Sequence, residues 1–355
     1  MRNSSTAKRG VGITKKDCVY VGLDVHKRSV YATVRINGEE HGSKSLPADA
    51  EIVKNFLEKY RLGLRKVVYE AGPTGYGLAR RLRENGIPAE VVAPGKIPRS
   101  AVEGSKSDRL DCRMLAEYAE KGLLKSVVIP TIEEEAFRQV LRLRSSLVEK
   151  RRRVKQQTKS FLLQYGLEEP EGLNHWSRKA VKALGEMELH SALRFTLDHL
   201  LEELFHLEEQ LKKVGGQIKE QYSSKAYEKK AKILKSHPGV GEVTAAQMLA
   251  EVYQPERFEN ARQVAAYVGL APRVRQSGES RKEGPLMKAG KGQLRASLVE
   301  SAWSWIRVDR QAAKLYGRLV RNTGSPNKAI VAMARKILVH LWTMLVRQEA
   351  YRPMA

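Results

Sequence analysis

Cys18-Val-Tyr-Val-Gly-Leu-Asp-Val25, followed after His26-Lys-Arg28 by Ser29-Val-Tyr-Ala-Thr-Val-Arg-Ile36, decides the fold of the first third of this chain. Both runs are rich in β-branched and aromatic residues, which suit a pleated, half-buried surface, and Asn37-Gly38 behind the second is a type I′ turn signal. The pattern predicts a strand meander. Pro47-Ala-Asp-Ala then opens a helical pattern (Ile52, Val53, Phe56, Leu57), and Lys66-Val-Val-Tyr-Glu70 supplies a further strand, giving a βββαβ order. Gly72-Pro-Thr-Gly75 punctuates, residues 76–84 read as a helix, Ala89-Glu-Val-Val-Ala93 as a short strand, and Ser107 is placed to cap a helix running to Glu120. Residues 18–128 are therefore expected to form a mixed α/β domain, preceded by a flexible basic arm at 1–17.

Beyond it the sequence turns helical. Residues 137–161 hold nine Lys or Arg and one acid, Glu149, a face that suits a phosphate backbone but that a solvated helix also shows; Arg151, Arg152 and Arg153 are its densest part. Leu193, Leu197, Leu200, Leu204, Leu207, Leu211, Val214 and Ile218 alternate spacings of four and three, the a/d seam of a heptad. That seam needs a partner helix, either the 137–161 segment of the same chain or the same segment of another subunit, so residues 129–225 are expected to be a coiled-coil or dimerisation region. Residues 226–355 read as mostly helical.

Charge narrows the function classes. The 355 residues include 64 Lys and Arg against 40 Asp and Glu, a formal charge of +24, and the segment from residue 260 onward carries 18 Lys and Arg against five acids. Such a surplus points to a polyanionic partner, nucleic acid first. With 42% hydrophobic residues and 13 Pro the chain is not a disordered basic tail, and two cysteines build neither a disulfide framework nor a four-thiolate zinc site. Met-Arg-Asn-Ser-Ser-Thr carries no apolar signal core, and the apolar run at 337–346, interrupted by His340, is about half the ~20 residues a span needs. A cytoplasmic protein without a membrane span is expected.

Three constellations carry chemistry. Asp24 lies on the first strand, Glu70 at the end of a later one, and Asp108 and Asp111 one turn apart at a helix start, where the dipole favours anions. If they converge, hard divalent cations would sit between them, Mg²⁺ being the natural guest of carboxylate oxygens, and two such ions can clamp the oxygens of an in-line phosphoryl displacement. An N-terminal charge pair and a loop acid are the plainer account. His26 reads as a strand-end histidine without catalytic importance. Second, His237-Pro-Gly-Val-Gly241 between two helical patterns reads as a helix-hairpin-helix, with Pro238, Gly239 and Gly241 allowing backbone amides to approach a phosphate, a plain αα turn being the alternative. Third, residues 269–292 read as a long polar, glycine-rich loop, with Ser277 among Arg273, Arg275, Arg281 and Lys282, and Lys288 further along. A serine hydroxyl needs a base, a metal or positive neighbours to attack phosphorus, and those cations could hold phosphate charge. Trp303, Trp305 and Trp342 read as helix core.

Read together, these segments resemble the transposases of the insertion-sequence family one-ten/eleven-eleven, including the related Piv-type DNA invertases. Gly22-Leu-Asp-Val-His-Lys27, Tyr69-Glu-Ala-Gly-Pro-Thr-Gly-Tyr76 and Lys106-Ser-Asp-Arg-Leu-Asp-Cys-Arg-Met-Leu-Ala116 are similar to their acidic motifs, and His237-Pro-Gly-Val-Gly241, Gly269-Leu-Ala-Pro and Gln276-Ser-Gly-Glu279 to their C-terminal domain. The resemblance implies a RuvC-like, ribonuclease-H-type domain with Asp24, Glu70, Asp108 and Asp111 holding two Mg²⁺ ions, Mn²⁺ being the substitute. It implies Ser277 as a nucleophile that forms a phosphoserine link to DNA, in a centre composed from two subunits of a tetramer. It also implies donor and target DNA chosen by a noncoding guide RNA. Pro285-Leu286 departs from the family pattern before Lys288, which keeps Ser280 as a second candidate. A Holliday-junction-resolving nuclease of the same fold, using water in place of serine, and a non-catalytic basic DNA-binding protein are the competing functions.

Overall fold

The computed structural model describes residues 12–98, 108–277, 280–287 and 290–353, with backbone alone at 108–110, 274–277, 280–283 and 285. They divide into two compact units, 1–129 and 130–355.

In the first unit, β1 (Val19–Val25), β2 (Ser29–Ile36) and β3 (Glu39–Pro47) form the expected antiparallel meander, followed by α1 (Ala50–Glu58), β4 (Leu64–Glu70), α2 (Gly77–Glu84), β5 (Ala89–Val92) and α3 (Asp108–Glu120). The sheet order is β3-β2-β1-β4-β5, antiparallel on the β2 and β3 side and parallel from β1 through β4 to β5. Asp49 starts α1 by accepting from the amides of Glu51 and Ile52. Strand alternation sends Val19, Val21, Leu23, Val67 and Tyr69 into one core with Val53, Leu57, Ala79 and Leu82 of α1 and α2. Val68 and Val92 point the other way, against Leu115 and Ala119 of α3. The basic arm ends sooner than expected: Ile13 packs on the first core, and Thr14 and Asp17 close a turn that Asn37 ties to β2.

The second unit holds α4 (Ile132–Gln164), α5 (Arg178–Glu186), α6 (Ser191–Tyr222), α7 (Glu228–Lys235), α8 (Glu242–Glu251), α9 (Ala261–Val268), a hairpin of β6 (Pro272–Ser277) and β7 (Ser280–Leu286), then α10 (Gly292–Val308), α11 (Arg310–Thr323) and α12 (Pro326–Arg347). A capping box between Thr131 and Glu134 starts α4. The leucine seam of α6 finds its partner within the chain. Phe161 and Leu162 near the end of α4 meet Leu197 and Leu201 near the start of α6, while Phe137 and Leu141 share a core with Val214, Ile218 and Tyr222, so the two helices run antiparallel. The same core continues through Met248, Val264, Leu298, Trp305 and Leu341, so residues 129–225 and 226–355 are not separate bodies. Among the described residues α12 alone is long and apolar enough to cross a membrane, yet Ala329, Ile330, Met333, Ile337, Leu338 and Leu341 are buried in this core. Trp305 is fully buried, but Trp303 is exposed against Tyr316, contrary to the core position expected for it.

Candidate catalytic and nucleic-acid-binding sites

Backbone register brings two of the expected acids of the first unit to neighbouring strand ends. Leu23 pairs with Tyr69 across the parallel β1 and β4 strands, so Asp24 and Glu70 each stand one residue beyond that pair. Leu23 and Tyr69 enter the α1 and α2 core, and alternation turns the next position of each strand to the α3 face. The fit of α3 to that face is set by Gly22: an added Cβ would lie 2.1 Å from the Cys112 carbonyl oxygen and 2.7 Å from the Ala116 nitrogen. Tyr20, two residues earlier on β1, packs with Leu115 and Ala119, so α3 runs opposite to β1. Two residues up the strand from Gly22 is Asp24. One turn back along the helix from Cys112 is position 108, each step being roughly 6 Å. Asp111 is half-buried and Glu70 exposed, so the site opens to solvent.

The side chain of Asp108 lies outside the described residues, and among those described no three His, Cys, Asp or Glu side chains gather closely enough to hold a metal ion. The donor set nevertheless fits a hard cation: carboxylate oxygens on two adjacent strand ends, with Asp111 in the first turn of the facing helix. His26, set aside in the sequence, places Nε2 3.0 Å from Asp24 Oδ2 and is half-exposed. Its position two residues after Asp24, across a strand end, was the available signal.

The segment expected to be a loop is an antiparallel hairpin. Arg275 pairs with Lys282, Gln276 with Arg281 and Ser277 with Ser280, which places the two candidate serines opposite each other at the turn. Gly278 and Glu279 between them, a Gly-X turn signal in the sequence, lie outside the described residues, as does Lys288. Arg273 is exposed.

The helix-hairpin-helix lies between α7 and α8, but its two glycines do different things. Gly239 has φ +83°, and a Cβ there would lie 2.6 Å from both the Ser301 carbonyl oxygen and the Trp305 nitrogen, so its bareness serves packing on α10. Gly241 faces open space at the N-terminus of α8, which has no side-chain cap, so of the two glycines it is the one whose surroundings leave room for a ligand. His237 is buried beneath this turn. Its Nδ1 donates to the Pro238 carbonyl at 2.7 Å, which leaves Nε2 to accept from His340 Nδ1 at 3.1 Å. Burial pushes the His237 pKa down to about 4, and burial also lowers that of His340.

The basic stretch of α4 is less uniform than its composition. Arg138 is buried, donates to the Ala250 carbonyl at 3.1 Å and lies 3.5 Å from Glu251, so it is an internal cation. Arg152 is exposed but paired with Glu149 at 2.7 Å. Arg153 is exposed, and Arg151 is half-buried.

Residues 21–167 match a transposase family model of the DEDD IS110 type, and residues 231–318 match a model described as Transposase IS116/IS110/IS902 family. The chain is 30% identical over 334 residues to the transposase for insertion sequence element IS1533 of Leptospira borgpetersenii, covering 91% of this chain and 94% of that protein. It is 29% identical over 277 residues to the transposase for IS1111A of Coxiella burnetii, covering 75% and 74%, and 25% identical over 338 residues to that for IS1328 of Yersinia enterocolitica, covering 93% and 98%.

Proposed function

Since the chain belongs to the IS110 family of insertion-sequence transposases, enzymes of DNA strand transfer, we propose that it moves its element through a carboxylate-held metal site in the first unit and serine attack from the hairpin of the second. The observation that carries this reading is the parallel register that sets Asp24 beside Glu70 on the face covered by α3. Such a constellation is what a ribonuclease-H-like domain needs.

In this account Asp24, Glu70, Asp108 and Asp111 would hold two divalent cations, Mg²⁺ or in its place Mn²⁺. When bound, these ions neutralise the scissile phosphate and stabilise the oxyanions of an in-line displacement. Asp24 is oriented by His26, which fixes one carboxylate oxygen. Ser277 Oγ attacks phosphorus, the phosphoserine bond forms as the bond to the leaving oxygen breaks, and that oxygen departs as a hydroxyl. The phosphodiester energy is conserved, so a second strand's hydroxyl can reverse the step without ATP. Arg273, Arg275, Arg281, Lys282 and Lys288 on and after the hairpin supply positive charge for DNA phosphate, and Gly241, Arg151 and Arg153 add further phosphate contacts. The same basic surface would accommodate a noncoding guide RNA, with assembly as a dimer or tetramer.

Strand exchange on a plasmid bearing the gene with its own flanking DNA tests this. Wild type should recombine, Ser277→Ala and Asp24→Asn should not, and full activity of Asp24→Asn/Asp108→Asn would overturn the metal site.

A further inference from the structure

The foot of the serine-bearing hairpin is built with unusual closeness. Gly269, at φ +84°, caps α9 and turns the chain toward β6, and on the return leg the Met287 amide donates to the Ala271 carbonyl at 3.1 Å. Gly290, at φ +117°, then presses onto the end of α9: an added Cβ would lie 2.7 Å from the Tyr267 carbonyl oxygen and 2.9 Å from the Gly269 nitrogen. Arg295 of α10 donates to the Val268 carbonyl at 3.2 Å.

One carboxylate ties this foot to the rest of the unit. Glu251, the last residue of α8 and only 12% exposed, lies 2.9 Å from Lys291 Nζ, the residue after Gly290, and 3.5 Å from Arg138 Nε of α4. Arg138 is 5% exposed and is fixed further by the Ala250 carbonyl, and Lys291 also lies 5.5 Å from the centre of the Tyr267 ring. Glu251 thus bridges a cation on the long helix and a cation at the start of α10, where the chain leaves the foot of the hairpin.

We propose that Glu251, acting through Lys291, is a positioning residue that aims the hairpin for strand transfer; this rests on Ser277 being the nucleophile. Buried ion pairs are poor stabilisers compared with apolar packing, and the surrounding core is already apolar. What the pair supplies is direction. Ser277 is six residues beyond Ala271, about 20 Å along a strand at ~3.3 Å per residue, so a tilt of roughly 6° at the foot moves the serine by about 2 Å. A misplacement of about 1 Å can lower a reaction rate on the order of 10²-fold.

The test uses full-length Glu251→Gln and Lys291→Met, with Lys291→Arg as the charge-keeping control. Three readouts are compared: recombination of the plasmid carrying the gene and its flanks, melting by tryptophan fluorescence, and amide exchange across residues 272–287. The expected result is a native-like melt for Lys291→Met, which leaves Glu251 facing Arg138, a lower melt for Glu251→Gln, which leaves the buried Arg138 without its acid, and for both neutral variants affinity for a random-sequence DNA duplex within about twofold of wild type, faster exchange at the hairpin foot and a ~10- to 100-fold slower recombination, with Lys291→Arg restoring most of the rate. Wild-type recombination by a folded Lys291→Met would overturn the proposal, as would loss of activity matched by equal loss of DNA affinity or by a global drop in melting temperature in both variants. A Ser277→Ala protein that still recombines would instead overturn the nucleophile assignment.

Discussion

Asp24 and Glu70 stand at the ends of two neighbouring parallel strands inside a five-stranded sheet, whereas Ser277 stands at the turn of a two-stranded hairpin. The carboxylates owe their placement to hydrogen-bonded register and to one bare glycine, Gly22, that lets α3 close on the sheet. The serine owes its placement to contacts gathered at the hairpin's foot from α4, α8, α9 and α10. In the proposed function a rigid platform would therefore carry the metal-binding chemistry, and a lever with a fixed pivot the nucleophile. The difference assigns different sensitivities to the two regions.

The largest effects should come from the reacting groups themselves. Asp24→Asn and Ser277→Ala should each lower plasmid recombination on the order of 10³-fold or more while leaving the melt unchanged. Next is Gly22→Ala, whose Cβ has no room against the Cys112 carbonyl. It should destabilise the first unit by about 3 kcal/mol, read from its urea unfolding by far-UV circular dichroism, and abolish recombination although no reacting group is altered.

Acid should separate the two regions. All four tryptophans, Trp176, Trp303, Trp305 and Trp342, lie in the second unit, so their fluorescence reports that unit alone. His237 binds its proton only near pH 4 when folded but near 6.5 when unfolded, so the unfolded chain holds more protons between those values and stability falls as pH drops through that window. The loss should reach roughly 3 kcal/mol at pH 4, with full stability above pH 6.5, and substitution of His237 by Phe should flatten the dependence if the fold is retained. The smallest effect belongs to Arg152→Ala, which breaks an exposed pair with Glu149. It should change stability by less than ~0.5 kcal/mol and leave the salt slope of DNA binding unchanged, whereas Arg153→Ala should lower that slope by about one.

The rigid platform was legible in the sequence and the lever was not, for a physical reason. A central strand of a sheet covered on both faces buries side chains on both sides, so the near-continuous apolar run from Val19 to Leu23 announced the strand that carries Asp24. The hairpin contributes Pro272-Arg-Val-Arg-Gln-Ser and Ser280-Arg-Lys-Glu-Gly-Pro-Leu, polar strands without an apolar alternation, and so it read as a loop despite the Gly278-Glu279 turn signal. The heptad of α6 announced a partner helix without identifying it, because a seam does not encode which surface it meets. Arg138 looked like one more cation of a phosphate-facing helix. Its burial depends on Ala250 and Glu251, more than a hundred residues away, which no local pattern displays.

The decisive measurement is to trap recombination of the plasmid carrying the gene and its flanks under denaturing conditions and to map the DNA-linked peptide by mass spectrometry. A nuclease-trimmed nucleotide is expected on Ser277, requiring Mg²⁺ or Mn²⁺ and absent from Asp24→Asn. Recombination without any covalent adduct, or an adduct on Ser280 that persists in Asp24→Asn, would contradict metal-dependent attack by Ser277.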